Sequence, residues 1–453
     1  MTGQVQVPDH WRSVVPWLGH VLPADRTPED RTGGAVQVNL PLELARQTLT
    51  AREYWSIPEP VLAGYRRYRP TPLWRATGFE QAVGARVPIY VKYEGTNISG
   101  SHKLNTALAQ AYYYQRAGVE ELVTGTGAGQ WGTALAAACA QFGLRCRVFM
   151  VGSSLRRKPY RGVLMRLLGA EVHASPSGLT EVSRARFEGG YNSLSLALGE
   201  AVEYAATHPG VAFSTGSGET YSILHQSVIG TESIAWLRAE GIGIDAVVGS
   251  VGAGSNFGGI ALPFFAEARA DGTPPPLLVA AESTTTPKLT RGVYAYDRTD
   301  ATGSGPLEPM YTIGSSYPIP DSHSAGLRYH GAAKLISAMR HHGQITATAV
   351  TQTEALEAGR LFAVHESTLA APESGHALAA AARIAAGADA DNVARQGVLV
   401  CVSGHGYLDL GAYEQYLDGV LTDQAPVEQA LDLAMAGLAT VEQDSRAAVG
   451  QPR

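Results

Sequence analysis

Cysteine is scarce in this chain: three residues in 453, at positions 139, 146 and 401, none in a CxxC spacing. An odd count without paired spacing indicates neither a disulfide framework nor a zinc cluster, so each thiol is expected buried and reduced, and no metal site is expected. Charge is modest as well. The 35 Lys and Arg against 41 Asp and Glu give a formal net charge of −6, with no basic run of the kind that follows a phosphate backbone. A nucleic-acid partner is therefore not expected. No apolar run is long enough to cross a bilayer. The stretch "MTGQVQVPDHWRSVVPWLGH" has no basic start leading into an apolar block, so neither a secretory signal nor a membrane association is expected, and the cytoplasm is the expected compartment.

Glycine, by contrast, is plentiful, at 51 residues. Glycine clusters mark backbone that bends tightly or approaches a ligand closely. The length suits two domains around a shared cleft. Residues 1–70 read as an irregular, proline-rich segment packing on the core. From about residue 87, strand-like and helix-like runs alternate. "VPIYVKYE", "EELVTG", "RCRVFMVG" and "AEVHAS" read as strands, separated by the helical runs "NTALAQAYYYQRAG", "GQWGTALAAACAQFG" and "KPYRGVLMRLLG". Further on, "IDAVVGSVGAG", "PPLLVAAES" and "QGVLVCVSG" read as strands, "EALEAGRLFAVHE" and "SGHALAAAARIAAG" as helices. This alternation predicts an α/β fold: two domains, each a largely parallel sheet flanked by helices, with a ligand site in the cleft between them. The expected divisions are 1–70, an N-terminal α/β domain over 71–215 with a mobile substrate-closing part, a C-terminal α/β domain over 216–422, and a tail over 423–453 with one amphipathic helix.

In such folds ligands bind beyond the carboxyl ends of the strands. Four segments there carry chemistry. In "GTNISGSHKLNTALAQ", Lys103 opens a helix, where a cation is slightly unfavourable. Desolvation would leave it a free amine able to form a Schiff base; the plain alternative is a surface lysine. In "GSVGAGSNFGG", residues 252 to 256 run from a strand into a helix, a place where successive amides cradle an anion. The pattern is neither GxGxxG nor GxxxxGK[ST], which favours the phosphate of a smaller cofactor over a nucleotide; a tight structural turn is the alternative. In "GTGAGQWG", the amides of residues 126 to 130 and the Thr126 hydroxyl suit a small carboxylate, with a turn again the alternative. Finally, Glu373 in "PESGHA" and Ser403 in "VCVSGHG" lie at element ends, and a hydroxyl after a buried strand needs a partner. His376 and His405 are expected to be structural. Together these parts suit pyridoxal phosphate (PLP), which requires an amine, a phosphate site, a substrate-carboxylate site and a partner for its ring nitrogen.

The motifs "GSHKLN", "TGAGQWGTAL", "KPYRGVLMRLLGAEV", "LHQSVIG", "GSNFGG", "SAGLRYHG", "PESGHA" and "SGHG" occur in an order that resembles the tryptophan synthase β-chain family, its stand-alone second-type branch most of all. The resemblance covers about residues 60–420. It implies the fold-type II PLP architecture, a homodimer, and no requirement for an α-type subunit. Residue by residue, it implies Lys103 as the Schiff-base lysine, with His102 and Asn105 beside the cofactor. Gly252, Ala253, Gly254, Ser255 and Asn256 become the phosphate loop, usually GGGSN, so Ala253 is a departure. Ser403 becomes the partner of the pyridine nitrogen and Glu373 the glutamate near it; a neutral serine there favours β-elimination chemistry over transamination. Thr126, Gly127, Ala128, Gly129, Gln130 and Trp131 become the substrate loop.

One departure bears on function. The family's loop reads "ETGAGQ", and its glutamate is the acid/base of the reaction; here that position is Gly125. General acid–base groups contribute about 10²- to 10⁴-fold. Thr215 stands where leucine is usual, Glu219 is introduced downstream, and Arg298 stands where an aromatic is usual; Arg328 of "SAGLRYHG" is a further substrate-side candidate. These changes imply a pocket more polar than indole wants. The leading expectation is β-replacement or β-elimination on a serine-like L-amino acid through an aminoacrylate, with a second small nucleophile other than indole and Glu219 as a substitute carboxylate. The alternatives are an indole-salvaging tryptophan synthase that tolerates Gly125, and a PLP-binding partner protein without turnover.

Overall fold

The computed structural model describes residues 5–27, 40–185, 193–299 and 305–441. Parts of the expected N-terminal segment (28–39) and of the tail (442–453) therefore lie outside the described residues. Two sheets organise the molecule. The strands that build them are, in chain order, β1 (Leu73–Arg75), β2 (Ile89–Tyr93), β3 (Glu121–Thr126), β4 (Arg145–Val151), β5 (Glu171–Ser175), β6 (Val211–Phe213), β7 (Ala246–Ser250) and β8 (Leu277–Ser283), followed by β9 (Thr346–Val350) and β10 (Val398–Val402).

The smaller sheet has the order β5-β4-β3-β6 and is parallel throughout. The larger has the order β9-β8-β7-β10-β2-β1, parallel except for its edge strand β1. Strand β10, "VLVCV", is buried at every position and lies between β7 and β2. A strand covered on both faces reads as a continuous apolar run rather than an alternating one. The expected boundary at residue 71 does not coincide with the division between the sheets: β1 and β2, residues 73–93, belong to the larger sheet with the C-terminal strands.

Between the strands run α1 (Lys103–Arg116), α2 (Gln130–Phe142), α3 (Pro159–Leu167), α4 (Leu194–Thr207), α5 (Thr220–Gln226), α6 (Ser255–Ala270), α7 (Gln352–Glu366) and α8 (Pro372–Ala385). Two of them start at the carboxyl ends of strands, α2 after β3 and α6 after β7, and α8 packs on β10. That arrangement aims helix N-termini at one region.

The first seventy residues are more regular than expected. His10–Arg12 pairs antiparallel with Tyr54–Ser56, and helices span Leu42–Leu49 and Glu59–Tyr65. Pro41 and Pro58 stand at the starts of those helices, where a proline is tolerated, so the prolines mark helix entries. The tail carries a helix at Glu428–Met435. All three cysteines are buried and free. No helix among the described residues is long and apolar enough to cross a membrane, and no cluster of metal-ligating side chains occurs among them.

Candidate active site

A cavity of about 560 Å³ opens where the strand ends and helix N-termini converge. Lys103, first residue of α1, borders it. Burial pushes the Lys103 amine down to about 8, with Arg161 lowering it further and Glu373 opposing. A desolvated ammonium loses its hydration, so the neutral, nucleophilic form is reached near neutral pH. His102 next to it is buried, and burial, with Lys103 adding to it, holds its imidazole down at about 3. It stays neutral and ties two loops together: Nδ1 lies 3.3 Å from the Ser403 carbonyl and Nε2 3.2 Å from Ser255 Oγ.

The loop from Gly252 to Asn256 joins β7 to α6 and lines the same cavity. Gly254 has φ +135°, a conformation that L side chains rarely adopt, which explains a glycine there. The amides of Gly252, Ala253 and Gly254 donate to no acceptor among the described residues, while the Ala253 carbonyl accepts from Ala333 N–H at 2.7 Å. A row of free amides at a helix N-terminus is an anion cradle. Ala253 is buried and leaves those amides free, so the departure from glycine at this position keeps the cradle.

Ser403 follows β10, and its Oγ lies 2.7 Å from Ser374 Oγ. Ser374 is the partner that the burial of Ser403 demanded; it stands next to Glu373 in the first turn of α8, so "PESGHA" contributes two polar groups instead of one. Glu373 Oε1 accepts from Gln130 Nε2 at 3.0 Å and from the Gly326 amide at 2.9 Å. Its Oε2 is buried with no donor among the described residues. A buried carboxylate oxygen without a donor is costly unless a ligand supplies one.

The loop after β3 brings Gly125, Thr126, Gly127, Ala128 and Gln130 to the cavity. Gly129 does not border it; its amide donates to Thr126 Oγ1 at 3.2 Å and closes the turn. Trp131 borders the cavity, with its indole N–H donating to Thr124 Oγ1 at 2.9 Å. Gly125 has a steric reason. A Cβ at this position would stand 2.5 Å from the Ala197 carbonyl carbon and from the Leu198 nitrogen, both backbone atoms of α4. Helix α4 packs directly over β3, and a side chain at 125 would have to displace it.

Thr215, Glu219 and Arg328 border the cavity. Arg328 donates to Asp321 Oδ1 at 2.8 Å and to the Ile319 carbonyl at 3.1 Å, which leaves its charge largely committed. Two expected residues are not brought there. Asn105 sits one turn into α1 inside a buried polar network: its Oδ1 accepts from Tyr68 and Arg69, its Nδ2 donates to Gln226, and it does not line the cavity. Helical periodicity explains the difference, because Asn105 lies two residues from Lys103 and so faces another side of α1. Arg298 ends a hairpin strand and does not line the cavity either; its neighbour Thr299 does. His376 is buried with Nδ1 near the Pro372 carbonyl, 2.9 Å, and lies outside the cavity lining, whereas His405 borders it.

Sequence reasoning missed Ser374, Arg161 and Glu308. Arg161 is buried, borders the cavity and donates to Asp409 Oδ2 at 2.9 Å, with its Nε unpartnered. It lies within "KPYRGVLMRLLGAEV", a motif read for its helical pattern and its family resemblance but not for any one side chain. Glu308 borders the cavity from the strand Leu307–Thr312, a segment that the sequence reading did not assign to any element.

Residues 65–404 match the family model described as pyridoxal-phosphate dependent enzyme. The chain is 43% identical over 434 residues to the "Tryptophan synthase beta chain 2" of Aeropyrum pernix, covering 93% of this chain and 96% of that one. It is 45% identical over 415 residues to the "Tryptophan synthase beta chain" of Pyrobaculum islandicum, covering 90% and 97%. Among solved structures, the processed form of threonine deaminase isoform 2 from Solanum lycopersicum superposes with a TM-score of 0.60 at 18% identity, covering 92% of this chain and 99% of that one. A fungal L-serine ammonia-lyase from Rhizomucor miehei gives 0.57 at 16% identity, covering 78% and 98%. Those two likenesses speak for the fold, the sequence matches for descent. This chain is a PLP-dependent enzyme of fold type II and belongs to the tryptophan synthase β-chain family.

Proposed function

We propose that this enzyme carries out β-replacement, with β-elimination as its side reaction, on a serine-like L-amino acid, and that its second substrate is a nucleophile other than indole. The observation that carries this reading is the packing at Gly125. The resemblance assigns the acid/base of the family's reaction to that position, and here the backbone of α4 fills the space a side chain would need.

The residues present fit the cofactor: free amides at Gly252 to Gly254, an orphaned carboxylate oxygen on Glu373, and a desolvated amine on Lys103. The loop from Gly252 to Asn256 would hold the phosphate, with His102 bracing Ser255. Ser403, oriented by Ser374, would meet the ring nitrogen. The cofactor supplies an electron sink that acidifies the α-hydrogen of a bound amino acid. The protein's part is then positional and proton-handling. The Thr126–Gln130 loop holds the substrate carboxylate by its amides. Lys103 Nζ takes the α-proton, a role for which its lowered basicity suits it. Gln130, bonded to Glu373, couples the substrate loop to the cofactor side. The assembly is read as a homodimer acting without an α-type subunit.

A second reading, tryptophan formation from L-serine and indole, is favoured by the 43–45% identity to proteins named tryptophan synthase β-chain. One incubation of the PLP-loaded protein with L-serine and indole separates the two. Pyruvate without tryptophan, detected by mass spectrometry, is expected. Tryptophan at a rate that exceeds pyruvate release would overturn the first reading and establish the second.

A further inference from the structure

Besides Glu373, three acidic side chains border the cavity: Asp25, Glu219 and Glu308. They come from distant stretches of chain. Glu219 stands at the N-terminus of α5 without capping it, Glu308 lies on the strand Leu307–Thr312, and Asp25 is brought beside that strand because Arg26 and Leu307 exchange backbone hydrogen bonds of 3.0 and 2.8 Å. The cluster holds one cation, Lys334, ion-paired with Asp25. The side-chain carboxylates of Glu219 and Glu308 make no hydrogen bond and no ion pair among the described residues.

Burial, with Asp25 adding to it and Lys334 opposing, raises the Glu219 carboxyl. Burial, Glu219 and Asp25 together push Glu308 up to about 8 against the same lysine. Two carboxyls this desolvated, with no donor of their own, are expensive for the fold. Groups of this kind concentrate where a ligand completes them. The surroundings narrow the ligand's body. Glu219 is close enough to act electrostatically on the Tyr114 and Tyr221 hydroxyls, and Phe213, Leu198 and Val202 supply apolar lining. Indole is neutral and offers one N–H; it cannot stabilise the ionised form of these carboxyls as a cation would.

We propose that Glu219 and Glu308 form the acceptor subsite, and that the nucleophile is a primary amine, cationic when it enters, on an apolar or aromatic body. The proposal rests on the β-replacement reading above. In the step it describes, the entering R–NH3+ passes one proton to a carboxylate of the pair and frees the nitrogen lone pair. The C–N bond to the β-carbon forms, the bond from the β-carbon to the leaving group breaks, and one N–H proton leaves with that group as HX. Nothing is oxidised or reduced. Here the pair replaces, from the acceptor side, proton acceptance that Gly125 does not provide.

The test begins with binding to the PLP-loaded enzyme by calorimetry. The probes are N,N-dimethylbenzylamine, cationic at neutral pH and unable to form an imine, and its neutral analogue benzyl methyl ether. Hydrogen bonds to charged groups contribute about 1.5–3 kcal/mol, so the amine should bind about ten- to hundredfold more tightly. Glu219→Gln and Glu308→Gln, made separately and each checked for cofactor loading, should each cut that preference to within about threefold. Equal affinity for the two probes in the native enzyme, or an undiminished preference in both variants, overturns the assignment. A turnover arm uses L-serine or O-acetyl-L-serine with benzylamine, benzyl mercaptan or indole. An N-benzyl-2,3-diaminopropionate product exceeding the other two supports the amine. A dominant thioether product unaffected by Glu219→Gln refutes the amine and leaves β-replacement standing. No replacement product with any acceptor, alongside a retained calorimetric preference, refutes β-replacement and leaves the cation subsite standing.

Discussion

Two sets of side chains face one cavity and are built in opposite ways. Around the cofactor region most polar side chains are tied: His102 to Ser255 and Ser403, Ser403 to Ser374, Glu373 Oε1 to Gln130 and Gly326, with Glu373 Oε2, Arg161 Nε and the amides of residues 252 to 254 left open among the described residues. Beyond Gly125 the carboxylates of Glu219 and Glu308 have no donor among the described residues. A hydrogen-bonded constellation pre-organises chemistry that is already fixed, whereas desolvated carboxyls without donors wait for a partner. On the function proposed above, the contrast separates the means of activating an amino acid, which is retained, from the acceptor side, where the chain departs from its family.

The largest effect is expected on the tied side. Lys103→Ala removes the amine and should abolish covalent loading of PLP, with α-proton removal slowed by about 10²- to 10⁴-fold. Loading is read from absorbance and α-proton exchange from NMR in deuterated water. Unchanged exchange would mean that another group is the base.

Next in size is a change beneath that region. Arg69 is buried between Glu94 and Glu232, donating to both at 2.8–3.1 Å, and Lys92 donates to Glu232 at 2.7 Å. Burial alone would raise the Glu94 carboxyl, but Arg69 outweighs it and holds it down at about 2. Asn105 of α1 is wired into this layer, so it fixes the helix that starts at Lys103. Glu232→Ala leaves two buried cations short of a partner and should lower stability by about 3–5 kcal/mol, measured by denaturant unfolding. A loss below 1 kcal/mol would mean that water replaces the carboxylate.

Gly125→Glu sharpens the contrast between the two sets. Forcing a side chain against backbone costs about 1–3 kcal/mol or more, so the melting temperature should fall and tryptophan formation should not appear. A variant as stable as the native protein would show that α4 yields, and the loop would then be able to host the family's glutamate.

Much of this is legible in the sequence. The strands "VPIYVKYE" and "QGVLVCVSG" and the four strand-end loops follow from periodicity and glycine placement, and those signals are local. The hairpin strands Val293–Arg298 and Leu307–Thr312 and helix α4 were not anticipated, because they lack the tight strand–glycine–helix sequence. What stayed hidden depends on neighbours far along the chain. Ser374 matters through Ser403, 29 residues away, and Glu308 matters because Glu219 and Asp25 are folded against it. Asn105 was misplaced for a related reason: a motif carries identity, but only the turn of the helix says which side a residue faces.

A smaller effect separates the regions by pH. Lys103 titrates below an ordinary lysine, at about 8, so its reactive neutral form grows about tenfold per unit up to that point and levels above it. The rate of covalent PLP loading should therefore rise about tenfold between pH 6 and 7 and flatten past pH 8. A rate still climbing at pH 10 would show that the amine is not desolvated.

The smallest effect tests how the tied side is held. Ser374 Oγ lies 2.7 Å from Ser403 Oγ and also accepts from the Gly404 amide at 3.3 Å. With Ser374 donating to Ser403, the Ser403 proton is free to point at a ring nitrogen; without it, the hydroxyl can rotate. One hydrogen bond contributes about 0.5–1.5 kcal/mol net, so Ser374→Ala should weaken PLP affinity by about two- to tenfold and shift the absorbance of the bound cofactor. Ser374→Thr, which keeps the hydroxyl, should restore both. A purely structural serine would instead lower the melting temperature and leave the spectrum of the loaded fraction unchanged, and Ser403 would then stand at the cofactor without help from α8.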